Sequence, residues 1–237
     1  MSPHRPPRTL VLLVLLAGFA AAPATSFAQA RHMGWDDSTD GHQDLAFDCN
    51  NPPAEATLVV SFIAPASDIF SITAKLDMCT LPDDLPPWWR FDDPEGCRYG
   101  LDEVTTNFAG GPATFPMAWT ASTSIIKQLT YGYGWSTAMN RWEITIYNSN
   151  STATPLVMGQ EYYAFKMKFH TPAGACAGCA TPACFVLNDL IVQTSSGAMQ
   201  TVMTYENWVK WQGGQGNCPF VVPVLPQTWG AIKAAYR

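Results

Sequence analysis

The segment EYYAFKMKFH, residues 161–170, places Tyr163, Phe165, Met167 and Phe169 at every second position, with Lys166, Lys168 and His170 between them. Strand side chains point alternately to two faces, so this pattern can bury one face of a sheet but not one stripe of a helix. Other segments repeat it. In TLVVSFIA, Leu58, Val60, Phe62 and Ala64 alternate with Thr57, Val59, Ser61 and Ile63. Both faces are nearly apolar, as in an interior strand. RWEITIYN sets Trp142, Ile144 and Ile146 against Arg141, Glu143 and Thr145. IFSITAKLDMC aligns Phe70, Ile72, Ala74, Leu76 and Met78 on one face, and CFVLNDLIVQT is a further β-rich run. Pro, Gly, Asn and Asp clusters separate the runs, as turns require.

Strands in succession without intervening helices predict an all-β fold, a β-sandwich of jelly-roll or immunoglobulin-like type. Two short helical pieces are expected. One is YENWVKW, residues 205–211. The other is the C-terminal TWGAIKAAYR, with Thr228 as N-cap and Trp229, Ile232 and Tyr236 on one face.

Residues 1–30 read as a secretory signal peptide. Arg5 and Arg8 precede the apolar TLVLLVLLAGFAAA, and Ala28 and Ala30 fit the small-x-small cleavage pattern. Cleavage would leave residues 31–237 as one domain, long enough to bury a sizeable core. It removes two bases and no acid, so the net charge moves from −6 to −8. That balance argues against nucleic acid and anionic lipid, which need clustered Lys and Arg. No later stretch is long and apolar enough to span a bilayer, so no membrane partner is expected after cleavage. The expected location is extracellular or periplasmic.

Export decides how the cysteines are read. TPAGACAGCATPAC, residues 171–184, holds Cys176, Cys179 and Cys184 directly after His170. In a reducing compartment those four residues would suit tetrahedral zinc. Under oxidising conditions disulfides take the sulfurs. The expected bridge-forming set is Cys49, Cys97, Cys176, Cys179, Cys184 and Cys218. Seven is an odd number, and Cys79 is left over because it falls on the polar face of its strand, with Ser71, Thr73, Lys75 and Asp77. Connectivity cannot be read from spacing.

LPPWW at 85–89 followed by Cys97-Arg98, EYYAFK at 161, CAGC at 176, WQGG at 211 and terminal TWGAIKAAYR together resemble a group of uncharacterised bacterial secreted proteins. The likeness implies export and a one-domain β architecture, and it implies no activity.

Several constellations could carry chemistry. Asp36, Ser38, Asp40, Gly41 and Asp44 match positions 1, 3, 5, 6 and 9 of a calcium loop, but Phe47 stands where the bidentate Glu belongs. The expectation is an acidic surface turn and no resident metal or cofactor. Asp92, Asp93 and Glu95 share one short loop beside Trp88 and Trp89 and are poorly placed to face each other across a sugar. Gly134-Trp135-Ser136 approaches a nucleophile elbow but lacks the strand-then-helix setting. LPQTW, residues 225–229, approaches a sortase signal, with Trp229 in the glycine's place.

In YGYGWSTAM, Tyr131, Tyr133 and Trp135 alternate with glycines. An extended chain would gather them into a flat platform that stacks on a sugar ring or packs in an interface. With Trp88 and Trp89, these are the expected ligand contacts. Trp142, Trp208 and Trp229 are expected in the core. The reading is a secreted, non-catalytic binding or surface-structural module for an extracellular glycan or a cell-surface protein. The alternative is an extracellular hydrolase acting on carbohydrate.

Overall fold

The structure is a computed structural model and describes residues 31–80, 85–91, 93–118, 128–130, 141–202 and 207–212. Among them are eleven strands: β1 Arg31–Trp35, β2 Asp44–Leu45, β3 Glu55–Ile63, β4 Asp68–Thr80, β5 Asp102–Thr105, β6 Gln128–Thr130, β7 Arg141–Pro155, β8 Glu161–His170, β9 Ala183–Thr194, β10 Met199–Thr201 and β11 Trp208–Trp211. They form two sheets. One runs β1-β3-β8-β5. The other runs β2-β11-β9-β4-β7-β6, with β10 beside β9. All strand pairs are antiparallel except β2–β11. The sheets pack face to face over one apolar core, so the chain is a β-sandwich.

The alternating segments supply that core. Leu58, Val60 and Phe62 of β3 meet Ile72, Ala74, Leu76 and Met78 of β4, Ile144 and Ile146 of β7, and Phe185 and Leu187 of β9. Three register shifts change which residues take part; one, between Lys75 and Leu76, passes over Asn188 of β9 and keeps both Leu187 and Leu190 in the core. Register slips between Ile69 and Ser71, so Ile69 is buried and Phe70 is only partly so. A second slip pairs Val60 with Phe165 and Ser61 with Tyr163, passing over Ala164. One inserted residue exchanges the faces beyond it. Tyr162 and Ala164 therefore join the core with Phe165, Met167 and Phe169, and Tyr163 moves to the outer face.

The segment WVKW is not helical. It is β11, paired with β9 and, in parallel, with β2. Val209 and Trp211 point inward, a period of two that the short apolar run also fits. The signal peptide and the C-terminal helix lie outside the described residues.

One end of the sandwich is covalently tied. Cys49 bridges Cys179 and Cys97 bridges Cys176, with Cα–Cα distances of 5.9 and 5.8 Å. The segment 171–184 is thus fixed to two distant loops. Cys184 is also disulfide-bonded, Cys79 is a buried thiol in register with it, and Cys218 lies outside the described residues. Gly178 adopts a φ of +103°, and a Cβ there would lie 2.4 Å from Pro86 Cβ, so only glycine lets the loop close on Pro86.

Beneath the bridges, the 3-10 turn Pro87–Trp89 drives two indoles inward. Arg98, fully buried, lies 4.5 Å from the centroid of the Trp88 ring and 5.2 Å from that of Phe91. Among the described residues, none of its three guanidinium nitrogens has a hydrogen-bond partner. Burial pushes its pKa down to about 10, against the opposing charge of Asp102. Burial raises the Asp102 carboxyl, and Arg98 and His170 offset part of that rise. A buried guanidinium held by ring contacts, with the half-buried Asp102 as its opposing charge, is costly to desolvate and adds little stability. The double variant Arg98→Met/Asp102→Asn is therefore expected to be as stable as the parent or up to about 3 kcal/mol more stable in urea unfolding. A loss beyond about 2 kcal/mol would show that the pair supports the fold.

Candidate functional site

The outer face of the β1-β3-β8-β5 sheet gathers the polar side chains that alternation excludes from the core. At its centre Tyr163 is buried beneath the segment that follows β5. Phe108 stacks on its ring at 4.7 Å and Phe115 meets it edge-on at 5.4 Å, with Val59 beneath. The Tyr163 hydroxyl donates to Asp37 Oδ1 at 2.8 Å and accepts from the Thr114 amide at 3.2 Å. Thr114 Oγ1 donates to Asp37 Oδ2 at 2.7 Å. Burial and the Asp37 carboxylate both raise the phenol's pKa. Three chain segments are thereby locked over this face.

Beside that cover runs a row of charges across β3, β8 and β5. Lys168 Nζ donates to Glu55 Oε2 at 3.1 Å, and Thr57 Oγ1 donates to Glu55 Oε1, also at 3.1 Å. The His170 ring stands between two carboxylates. Its Nδ1 is 3.3 Å from Glu55 and its Nε2 is 4.0 Å from Glu103. The carboxylates approach opposite edges of one imidazole, so the three groups do not converge on a common point. Burial works to raise the Glu55 carboxyl. Donation from Lys168 and Thr57, with the nearby Lys168 and His170 charges, outweighs it and holds the group below the usual range. Lys166, under the Phe108 loop, is pushed down first by burial and then by Lys168.

At the β1 edge, Ser61 Oγ and His32 Nδ1 both donate to Glu161 Oε1, at 2.5 and 2.7 Å. The fully buried serine is hydrogen-bonded to the carboxylate, where a triad would place it against the imidazole.

The sequence candidates fall as follows. Trp88 and Trp89 are 3% and 1% exposed, so they are core residues and present no ligand surface. The 3-10 turn aims both rings at Trp211, 6.0 and 4.9 Å away, where burial releases far more apolar area than a surface loop could. Tyr131, Tyr133 and Trp135 lie outside the described residues, as do Asp92 and Trp229. Trp208 is only half-buried on the outer face of its sheet, with Lys210 Nζ 4.7 Å from its ring centroid.

Asp36, Asp40 and Asp44 are exposed or half-exposed around the turn that follows β1, and Ser38 is buried. Asp44 lies 3.7 Å from Lys210 Nζ, and Asp37, which the calcium pattern passes over, accepts from Tyr163 and Thr114. Among the described residues no three His, Cys, Asp or Glu side chains are grouped to hold a metal. Spacing gave no sign of Asp37, of the Tyr163 platform or of the Glu55–His170–Glu103 row. A strand bulge and cross-strand register assemble them.

No family model and no curated protein matches the chain. Among solved structures it is similar to a non-cellulosomal cohesin from Archaeoglobus fulgidus, at 11% identity over 77% of this chain and 88% of that one, with a TM-score of 0.36. It is also similar to the second type II cohesin module of the adaptor ScaA scaffoldin from Acetivibrio cellulolyticus, at 9% identity over 75% and 92%, TM-score 0.37. A third is BcpA, the major pilin subunit of Bacillus cereus, at 7% identity over 77% and 40%, TM-score 0.35. Superposition this loose carries no functional argument, and the fold assignment rests on the sheets themselves.

The charge row makes a pH-dependent prediction. A carboxyl held below its unfolded value contributes stability above that value and loses it as pH falls through the folded one. Glu55→Gln should cost about 0.5 kcal/mol at pH 7 and almost nothing near pH 3. Urea unfolding of both proteins at the two pH values reads the difference. An equal cost at both would show that Glu55 acts through packing.

Proposed function

We propose that the chain is a secreted, non-catalytic binding or surface-structural module whose partner is an extracellular glycan or a cell-surface protein. The observation that supports this is the charged row on a flat strand face. Glu55, Lys168, His170 and Glu103 are partly exposed and held by cross-strand pairing. A planar array of alternating charge suits recognition of a polar partner, and electrostatic complementarity sets encounter rate and specificity. The paired sulfurs and the signal-like N-terminus fit an oxidising, extracytoplasmic setting. Tyr131, Tyr133 and Trp135 remain the candidate sugar-stacking residues on the strength of their sequence alone.

Affinity electrophoresis through cell-wall polysaccharides, with binding to extracellular proteins in parallel, tests the proposal. Retention on a glycan should fall about tenfold with Trp135→Ala, and binding to a protein about tenfold with Glu103→Lys, one bidentate-scale contact being worth ~1.4 kcal/mol. The thermal midpoint should stay unchanged. Release of reducing sugar by the pure protein, abolished by Glu103→Gln or Glu55→Gln, would establish the carbohydrate hydrolase and overturn the binding reading.

A further inference from the structure

Lys166 breaks the pattern of the charged row. Lys168 and His170, further along β8, each have a carboxylate within reach. Lys166 is only 6% exposed, and among the described residues no carboxylate or carbonyl lies within hydrogen-bond distance of its Nζ. Register explains the gap. Its cross-strand neighbours are Val59 of β3 and Thr105 of β5, and the Thr105 hydroxyl already accepts from the Asn107 amide. The Phe108 ring offers a weak cation contact, with its centroid 5.5 Å from Nζ. A buried ammonium without an acceptor is costly, and an apolar side chain of similar length would not carry that cost.

The loop above Lys166 leaves the amine reachable. Ala109, Gly110 and Gly111 are exposed, and Phe108, stacked on Tyr163, pins the loop beside them. A Cβ at Gly111 would stand 3.5 Å from Lys166 Nζ. A longer side chain there would lie across the amine. Gly110 needs its glycine for a φ of +71°, whereas Gly111 lies outside the left-handed region. The missing side chain at Gly111 therefore provides space and meets no backbone demand.

A ligand at this point must bring an acceptor slender enough to pass the loop, and it must tolerate acids beside it. Glu103 pairs with Lys168 and Thr105 with Lys166, so Glu103 stands diagonally across from Lys166. Diagonal neighbours on one sheet face are about 7–8 Å apart. The Glu103 side chain is 46% exposed. A polyanionic glycan would be repelled by Glu103 and Glu55, and a neutral one would leave the ammonium without a counter-charge. An extended peptide turns alternate side chains to one side at about 6.5–7 Å, which matches the diagonal.

We propose that Lys166 and Glu103 form a two-point site for an extended protein segment that carries an acidic and a basic side chain two residues apart. The carboxylate meets Lys166 Nζ past Gly111, and the cation meets Glu103. This rests on the reading of the strand face as a binding surface and assigns that surface to a protein partner.

The test is titration of the protein with acetyl-Glu-Gly-Lys-amide, followed through the lysine Cε–Hε resonances by NMR, with that of Lys166 assigned by its loss in Lys166→Met. The Lys166 resonance should shift and saturate. Half-saturation should need about tenfold more acetyl-Gln-Gly-Lys-amide, and about tenfold more of the original peptide in Gly111→Leu, which keeps the charge and covers it. Glu103→Gln should raise the half-saturation concentration several-fold. Lys75→Met, on β4 of the other sheet, should leave it unchanged. Lys166→Met should raise the thermal midpoint, whereas loss of a lysine that supports the fold would lower it. A Lys166 resonance that ignores the peptide, or a lower midpoint in Lys166→Met, would overturn the proposal. So would saturation by trigalacturonate in place of the peptide, since it would assign the amine to an acidic glycan. Protein binding abolished by Glu103→Lys would survive those results, so the site and the broader reading fail separately.

Discussion

Trp211 is the side chain on which the two sheets and the disulfide corner all close. It lies within 5.7 Å of the Trp35 ring, 4.8 Å of Phe47 and 4.9 Å of Trp89, and its indole donates to the Cys179 carbonyl at 2.7 Å. Trp35 belongs to the four-stranded sheet and donates to the Lys210 carbonyl of the other sheet at 2.8 Å. Phe169 and Phe185 complete the cluster from β8 and β9. Aromatic rings at these separations combine a large buried area with favourable edge-to-face geometry. Gln212, next in the chain, holds both polar backbone groups of Phe47 through its amide. One short strand therefore joins the sheets, the Cys49 loop and the Trp88–Trp89 turn.

That closure leaves the remaining surfaces to specialise. The Cys97–Cys176 and Cys49–Cys179 bridges fix one end, so the face of β3, β8 and β5 has a rigid margin at His170. The same strand β8 carries Tyr163 outward at its other half because of one bulge. The opposite end is held by hydrogen bonds between turns, backbone and side chain alike, and Val157, Met158 and Met199 stay exposed there. Polar ladder, tied corner and apolar tips are three consequences of one sandwich whose interior is filled by side chains.

Most strands and their inward residues were legible in the sequence, because period-two alternation is a local property of residues such as Leu58, Val60 and Phe62. Parity was legible only up to each bulge. Phe70 and Tyr163 were assigned to the wrong face, since a register shift depends on the partner strand and leaves no local mark. WVKW read as helix because four residues fit either period. Trp88 and Trp89 were expected as ligand contacts, while their burial is decided by Trp211, more than a hundred residues away. The charge row escaped notice for the same reason. Glu55, Glu103 and His170 are brought together by pairing across three strands.

The most direct measurement of this architecture is equilibrium unfolding of Trp211→Ala in urea, followed by far-ultraviolet circular dichroism and by tryptophan fluorescence. Loss of the ring on which both sheets close should lower stability by about 3–5 kcal/mol with coincident transitions from the two probes. A loss below about 1 kcal/mol, or two separate transitions with the corner melting alone, would show that Trp211 does not couple the sheets to the disulfide end.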